Sequence, residues 1–293
     1  VGGDRFCQPG GRRPRSPMTS ATASLRRLPA YARNANSIMR VAAILARHGF
    51  GQLLAELGLP VGEGRITLGL SNAVDALPSE TTWEVRVRRT LEALGPTFVK
   101  LGQVAATRPD IIPMSLIFEL RKLQDKVPGF PFEQVCDVVL ADFGRPLHQL
   151  FQTFDPKPLA AASIAQVHRA TLPTGEQVVA KIQRPGLAQT IQNDLEVLRF
   201  LAKLVEEKLP EYKQFRPVDA VEQFARGLLR EIDFTHEVAN LKRFRRNFEN
   251  EPNLHVPDVH PALCSKRVIT MEFIDGCKVT KDRKSTRLNS SHT

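Results

Sequence analysis

Lys181 closes a strand-like run from Gln177 to Ile182 and stands fourteen residues after Val167. An ammonium placed there is a compact point charge of the kind that holds phosphate oxygens. Between Leu159 and Val167, residues Ala160, Ala162 and Ala165 occupy the positions at which a phosphate-covering loop of the form Leu-Gly-x-Gly-x-x-Gly-x-Val carries its glycines, with Ala161 and Ser163 between them. Glycine serves such loops because, lacking Cβ, it lets backbone N–H groups approach oxygen closely and lets the chain take positive φ. Alanine removes that freedom. The expectation is a stiffer loop with altered phosphate placement rather than lost binding. The plain alternative is an ordinary hairpin, 158–172 and 176–183, turning at Pro173-Thr174-Gly175.

A second set of candidates precedes the loop. Gly95 to Pro109 reads Gly-Pro-Thr-Phe-Val-Lys-Leu-Gly-Gln-Val-Ala-Ala-Thr-Arg-Pro. Its Lys100-Leu101-Gly102-Gln103 resembles the Lys-x-Gly-Gln signature of the UbiB family of atypical kinase-like proteins, which is linked to ubiquinone biosynthesis. Thr107 to Asp110, Leu123-Gln124-Asp125, Pro158 to His168, Val179 to Pro185 and Glu231-Ile232-Asp233-Phe234 are similar to the same family, in its order, over roughly 85–280.

The resemblance implies an α+β fold: a protein-kinase-like N-lobe of antiparallel sheet plus helices, with an N-terminal helical extension. It implies ATP or ADP as ligand, held by the Ala160 to Ala165 loop, by Lys181 and by a helix carboxylate for which Glu237 is the candidate. Met271 would be the gatekeeper, and the Glu272 carbonyl and Ile274 amide the hinge contacts to adenine. Lys100, Gly102 and Gln103 would lie on a helix over the nucleotide, meeting phosphate or the Glu231 and Asp233 carboxylates in a regulatory role. No His-x-Asp catalytic loop and no Asp-Phe-Gly follow Gly276; Asp142-Phe143-Gly144 precedes the loop in a helix-rich segment. The chain is therefore expected to end at the hinge with the C-lobe absent, to lack a complete catalytic set, and to need Mg2+ only as part of a full-length protein.

The elements that must position these groups follow from periodicity. Glu84 to Leu94 is a helix stopped by Gly95-Pro96, and Thr97 is the expected cap of a second helix reaching about Thr107. Pro113 to Asp125 and Pro131 to Phe143 begin with proline, which a helix tolerates in its first turn. Leu187 to Leu209 is a long helix, and Pro217 to about Phe248 is expected as another, carrying Glu231 and Glu237 on different faces because six residues is not a whole number of turns. Val268 to Ile274 is an apolar strand. His168 and His236 have no partner at ligand spacing and are assigned structural roles.

The net charge of +10 is not spread evenly. Residues 1–50 hold nine arginines against Asp4, residues 281–293 carry +3, and the remainder is close to neutral. The basicity belongs to the arms, and the few interleaved aromatics argue against nucleic acid as a partner. Cys7, Cys136, Cys264 and Cys277 form no paired motif, so neither zinc nor a disulfide framework is indicated. Ile38, Val41, Ala42 and Leu45 predict an amphipathic helix that could lie on an anionic membrane or pack on the lobe.

The expected organisation is a basic arm at 1–35, with Met18 as a possible natural start, and an amphipathic helical segment at 36–80. The Lys-x-Gly-Gln extension at 81–145, the N-lobe at 146–280 and a foreign-looking tail at 281–293 complete it. The expected setting is cytoplasmic and peripheral to the inner membrane, with a prenyl lipid or biosynthetic enzymes as partners. A non-catalytic scaffold on the same lobe is the competing function.

Overall fold

Alternation along one strand decides where the chemistry can sit. In the computed structural model, which describes residues 35–59, 81–123 and 128–276, strand β4 (Gln177–Gln183) buries Val178, Ala180 and Ile182 and turns Val179 and Lys181 the other way. Four further strands complete an antiparallel sheet: β1 (Thr153–Phe154), β2 (Ala160–Ala161), β3 (Ala165–Thr171) and β5 (Val268–Glu272). The order is β1-β3-β4-β5, with β2 also paired to β3. The β3–β4 turn falls at the expected Pro173-Thr174-Gly175, where Gly175 takes φ of +88° and its N–H donates to the Leu172 carbonyl at 2.9 Å.

Two short helices, α6 (Phe132–Phe143) and α7 (Leu147–Leu150), cover the Val178 face through Val135, Val138, Val139 and Leu150. Asp142 and Phe143 lie within α6. The Asp142 carboxylate accepts from the Ser265 hydroxyl at 2.6 Å and from Arg267 Nε at 3.0 Å, tying this helix to the start of β5.

A helical layer flanks the sheet. It comprises α1 (Ala35–Arg47), α2 (Gly51–Glu56), α3 (Trp83–Leu94), α4 (Pro96–Ala105) and α5 (Met114–Leu120), and, between β4 and β5, α8 (Leu187–Lys208), α9 (Pro217–Glu231) and α10 (Phe234–Asn247). The stripe on α1 packs inward: Val41 is buried beside Leu94, Phe98, Ile191 and Leu195, with Ile38 and Leu45 against them. Its apolar face is thus covered by protein, which favours the second of the two expectations for that helix. No helix among the described residues is long and apolar enough to cross a membrane. The basic arm through residue 34, Gln124-Asp125 and the 281–293 tail lie outside the described residues.

The expected helix from Pro113 to Asp125 is shorter, Met114–Leu120, and two further expectations change. Thr97 is not a cap: Gly95, at φ +108°, precedes the helix and Pro96 is its first residue, so Thr97 already lies inside α4. Its hydroxyl donates instead to buried Asp194 of α8 at 2.7 Å, and Arg40 of α1 reaches the other carboxylate oxygen at 3.2 Å. Burial pushes the Asp194 carboxyl above the usual carboxylate range, while Thr97 and Arg40 pull the other way. The second correction concerns the expected helix from Pro217 to Phe248, which is two helices. Asp233 breaks it by taking an extended backbone and accepting from the Thr235 N–H at 3.1 Å and its hydroxyl at 2.6 Å.

Gly102 is a packing residue. A Cβ there would overlap Leu123 Cδ1 and come within 2.7 Å of Leu91 Cδ1 and 3.4 Å of Leu120 Cδ2, so any side chain would push these leucines out of their places against α4. Gly227 of α9 is the opposite case, with nothing within 4 Å of the point where a Cβ would stand. Alanine is favoured over glycine in a helix interior by about 1 kcal/mol, whereas overpacking costs roughly 1–3 kcal/mol. Gly227→Ala should therefore raise the melting temperature and Gly102→Ala lower it, as read by thermal unfolding of the two variants side by side.

Candidate nucleotide site

The rung that passes through Lys181 is continuous across the sheet. Ala160 of β2 faces Val167 of β3, Val167 faces Lys181 of β4, and Lys181 faces Ile269 of β5. The loop base and the lysine thus stand at the same level, and side chains at directly paired positions project to the same face. On that face Phe234, at 0% exposure, packs with Ala165 and Ile269. The Lys181 ammonium lies 4.7 Å from the centre of the Phe234 ring and donates to Glu237 Oε2 at 2.7 Å. Neither charge is fully desolvated, with the side chains 22% and 39% exposed, so this is a positioned pair rather than a buried one.

The second pair sits one helix away. Lys100 Nζ of α4 meets Glu231 Oε1, near the end of α9, at 2.6 Å. Glu231 and Glu237 take different lysines because the backbone changes direction between them at Asp233, not because of an angle around one helix. Both carboxylates, with Arg230, His236, Asn240 and Phe244, line a groove of about 740 Å³. Asp233 itself is a helix cap, and the Thr235 hydroxyl, more than any other partner, holds its carboxyl below the usual range.

The loop is tightly turned. Ala162 N–H donates to the Ala165 carbonyl and Leu159 N–H to the Val167 carbonyl, each at 2.8 Å. Ser163 is buried at 6% exposure, and Ala165 belongs to the cluster under Lys181. The expected hairpin turning at Pro173-Thr174-Gly175 is the β3–β4 pair, and the alanines belong to a second hairpin: Ala160 and Ala161 in β2, Ala162 and Ser163 in the turn, Ala165 opening β3. Ala161 pairs with Gln166 in that register.

The expected strand Val268 to Ile274 is two residues shorter in the structure. Strand β5 ends at Glu272, leaving Ile274 outside it and 46% exposed. Met271 packs against the Phe234 cluster. The Glu272 carboxylate is engaged by the Asp258 N–H at 3.1 Å and His255 Nε2 at 2.8 Å, and its N–H donates to the Asp258 carbonyl. Gln103 donates to the Leu123 carbonyl at 3.4 Å, so it bridges α4 to the residues after α5. Sequence reasoning missed Thr97 and Asp194 as a tie between α4 and α8, and Gln166 as a buried polar residue. The only advance signal was the presence of such polar side chains in otherwise apolar stretches.

Residues 122–292, more than half of the sequence, match the model of the ABC1 atypical kinase-like domain. The chain belongs to that family. The matched residues of the ABC1 domain include Lys181, Glu231 and Glu237 and extend through 281–292. A protein from Marinobacter nauticus named "Probable protein kinase UbiB" is 42% identical over 194 residues, covering 66% of this chain and 36% of its own length. A protein of the same name from Pseudomonas paraeruginosa is 38% identical over 246 residues, covering 83% of this chain and 46% of its own length. The chain thus spans less than half the length of these curated relatives. A solved structure, the complex of Rv3197 with erythromycin from Mycobacterium tuberculosis, superposes with a TM-score of 0.46 at 26% identity, over 62% of this chain and 45% of that one.

The cap at Asp233 yields a quantitative expectation. Asp233→Ala should destabilise the chain by about 1 kcal/mol at neutral pH, measured by urea unfolding. Because the folded carboxyl is held below its ordinary 3.8, the stability it contributes is present above 3.8 and is lost as pH falls through the lowered value. Wild type and variant should therefore converge in acid, and a constant gap down to pH 2 would refute the cap.

Proposed function

We propose that this chain is the nucleotide-binding part of an atypical kinase-like ATPase that supports ubiquinone biosynthesis. The observation that carries the reading is the Lys181–Glu237 pair at 2.7 Å, on the same sheet rung as the base of the alanine hairpin. Glu237 and the Phe234 ring hold the ammonium at a fixed, partly exposed place on the face of the sheet opposite Val178, where it can meet α- and β-phosphate oxygens without first being ordered. The hairpin tip, closed by the bond between Ala162 and Ala165, supplies a backbone rim above it. Membership in the ABC1 family supports the nucleotide, and the name carried by its relatives supports the quinone pathway.

The residues present fit a nucleotide better than a metal. Glu231 and Glu237 are each engaged by a lysine, and among the described residues no three His, Cys, Asp or Glu side chains converge. That donor set does not fit Mg2+, which takes free carboxylate oxygens. Lys181 would bind and orient phosphate; the α4 helix, held by Lys100 to Glu231, would limit access from the groove side. On this reading the membrane or prenyl lipid meets the protein through surfaces other than the covered face of α1.

ADP or ATP should raise the melting temperature of the purified chain, and Lys181→Ala should abolish that rise while leaving the unliganded melting temperature within a few degrees. A flat response of the wild type to both nucleotides would overturn the proposal. The isolated chain should show little turnover in a phosphate-release assay.

A further inference from the structure

The back of the alanine hairpin carries a polar cluster that neither lysine pair uses. Gln166 and His168 of β3 stand opposite Ile182 and Ala180 of β4, so they project to the Val178 face of the sheet, away from Lys181. They are 1% and 0% exposed. Gln166 Oε1 accepts from the Phe130 N–H at 3.0 Å, and its Nε2 donates to the Phe130 carbonyl at 3.3 Å. Those two backbone groups fix which end of the amide is which. Nε2 therefore faces His168 Nε2 at 2.9 Å as a donor, which makes that ring nitrogen an unprotonated acceptor. The ring proton sits on Nδ1 and is donated to the Asp155 carbonyl at 2.8 Å. Burial holds the imidazole below its ordinary range, in keeping with a neutral ring.

The segment Pro128-Gly129-Phe130 meets the hairpin at further points. Arg184, the residue after β4, donates from its guanidinium to the Pro128 carbonyl at 2.9 Å, and its Cζ lies 5.3 Å from the centre of the Phe130 ring. The Arg184 backbone N–H donates to the Ile164 carbonyl at 2.9 Å, in the turn between β2 and β3. Gly129 comes closest to β2. A Cβ on it would stand 3.0 Å from Gln166 Oε1, 3.5 Å from Pro158 Cγ and 4.0 Å from Ala161 Cβ. One short segment is thus in touch with both strands of the hairpin and, through Arg184, with its turn.

We infer that Gln166 and Arg184 are positioning residues that clamp Pro128-Gly129-Phe130 against the back of the Ala160–Ala165 hairpin and fix the place of its tip relative to Lys181. Strand pairing alone holds the tip weakly: β2 has two residues and pairs with β3 alone. Support from behind supplies what the ladder lacks. A buried amide that satisfies both a backbone N–H and a backbone carbonyl resists displacement, because loosening it leaves several desolvated groups unpaired at once. The consequence for nucleotide binding rests on the function proposed above; the clamp itself does not.

Amide hydrogen exchange on the 293-residue chain tests it. The Ala162 and Leu159 N–H groups report on the tip, and the Leu172 N–H, which donates to the Glu176 carbonyl just past the far end of β3, is the reference. Gln166→Met, chosen for similar volume, should speed exchange several-fold at Ala162 and Leu159 and leave Leu172 unchanged. Gly129→Ala, which crowds Gln166 Oε1 without removing the amide, should do the same. An equal rise at all three reporters, or no rise at the tip, overturns the clamp. Should Gln166→Met fail to fold, Gly129→Ala and Arg184→Met, the latter at a partly exposed position, carry the same test with the same outcomes. Nitrogen NMR of His168 in the wild-type chain checks the geometry: the Nδ1–H tautomer at neutral pH upholds it, and the Nε2–H tautomer or an imidazolium refutes it. In a parallel titration, Gln166→Met should weaken ADP binding several-fold, and an affinity equal to that of the wild type overturns the positioning role. A wild-type chain that binds no ADP, with the exchange pattern intact, keeps the clamp and removes the nucleotide reading.

Discussion

Burial of one ring organises the candidate site. Phe234 is the first residue of α10, has no exposed surface, and fills the space between Ala165 and Ile269 on the face of the sheet that carries Lys181. Its N–H is taken by the Lys266 carbonyl at 3.0 Å, and the neighbouring Ile232 carbonyl by Gln183 Nε2 at 2.5 Å, so backbone and side chain are pinned together. A ring so placed contributes several kcal/mol, on the scale of the roughly 3–5 kcal/mol lost when a core Phe is cut to Ala. It also sets the origin of α10. From there Glu237, one turn along, can only arrive beside Lys181, while Glu231, just before the bend, falls to Lys100.

The parts of this arrangement that were legible in the sequence are those with short-range causes. Pro173-Thr174-Gly175 marks a turn because glycine accepts positive φ, and Gly95-Pro96 separates two helices because one residue ends a helix and the other can begin one. The break at Asp233 was not read, although its signal was present: aspartate two residues before threonine is a capping pattern. It was hidden because apolar residues continue at helical spacing on both sides and no glycine or proline interrupts them. Thr97 misled for the converse reason. Threonine after a proline resembles a cap, but the positive φ of Gly95 starts the helix earlier and frees the hydroxyl for Asp194.

The pairing of Lys181 with Glu237 was expected from family resemblance rather than from spacing, since 56 residues separate them. The grip of Gln166 on Phe130 could not be foreseen by either route. Its partners are backbone atoms 36 positions away, and backbone atoms leave no mark in a sequence. The Lys-x-Gly-Gln residues divide along the same line. Lys100 makes an electrostatic contact that chemistry suggests, Gln103 a backbone contact that only the fold reveals, and Gly102 a steric allowance that follows from three leucines converging on one point of α4.

The two carboxylates that share one groove give α4 a role beyond packing. Each is neutralised by a lysine, but Lys181 belongs to the sheet and Lys100 to a helix from an earlier part of the chain. With α4 seated, the groove presents two balanced pairs. The Lys100 charge reaches Glu231 only because α4 is seated, with Phe98 buried and Thr97 bonded to Asp194 of α8. The extension is thus a counterion as well as a packing element: the same helix that fills the space beside α8 brings the charge that balances one of the groove's two carboxylates.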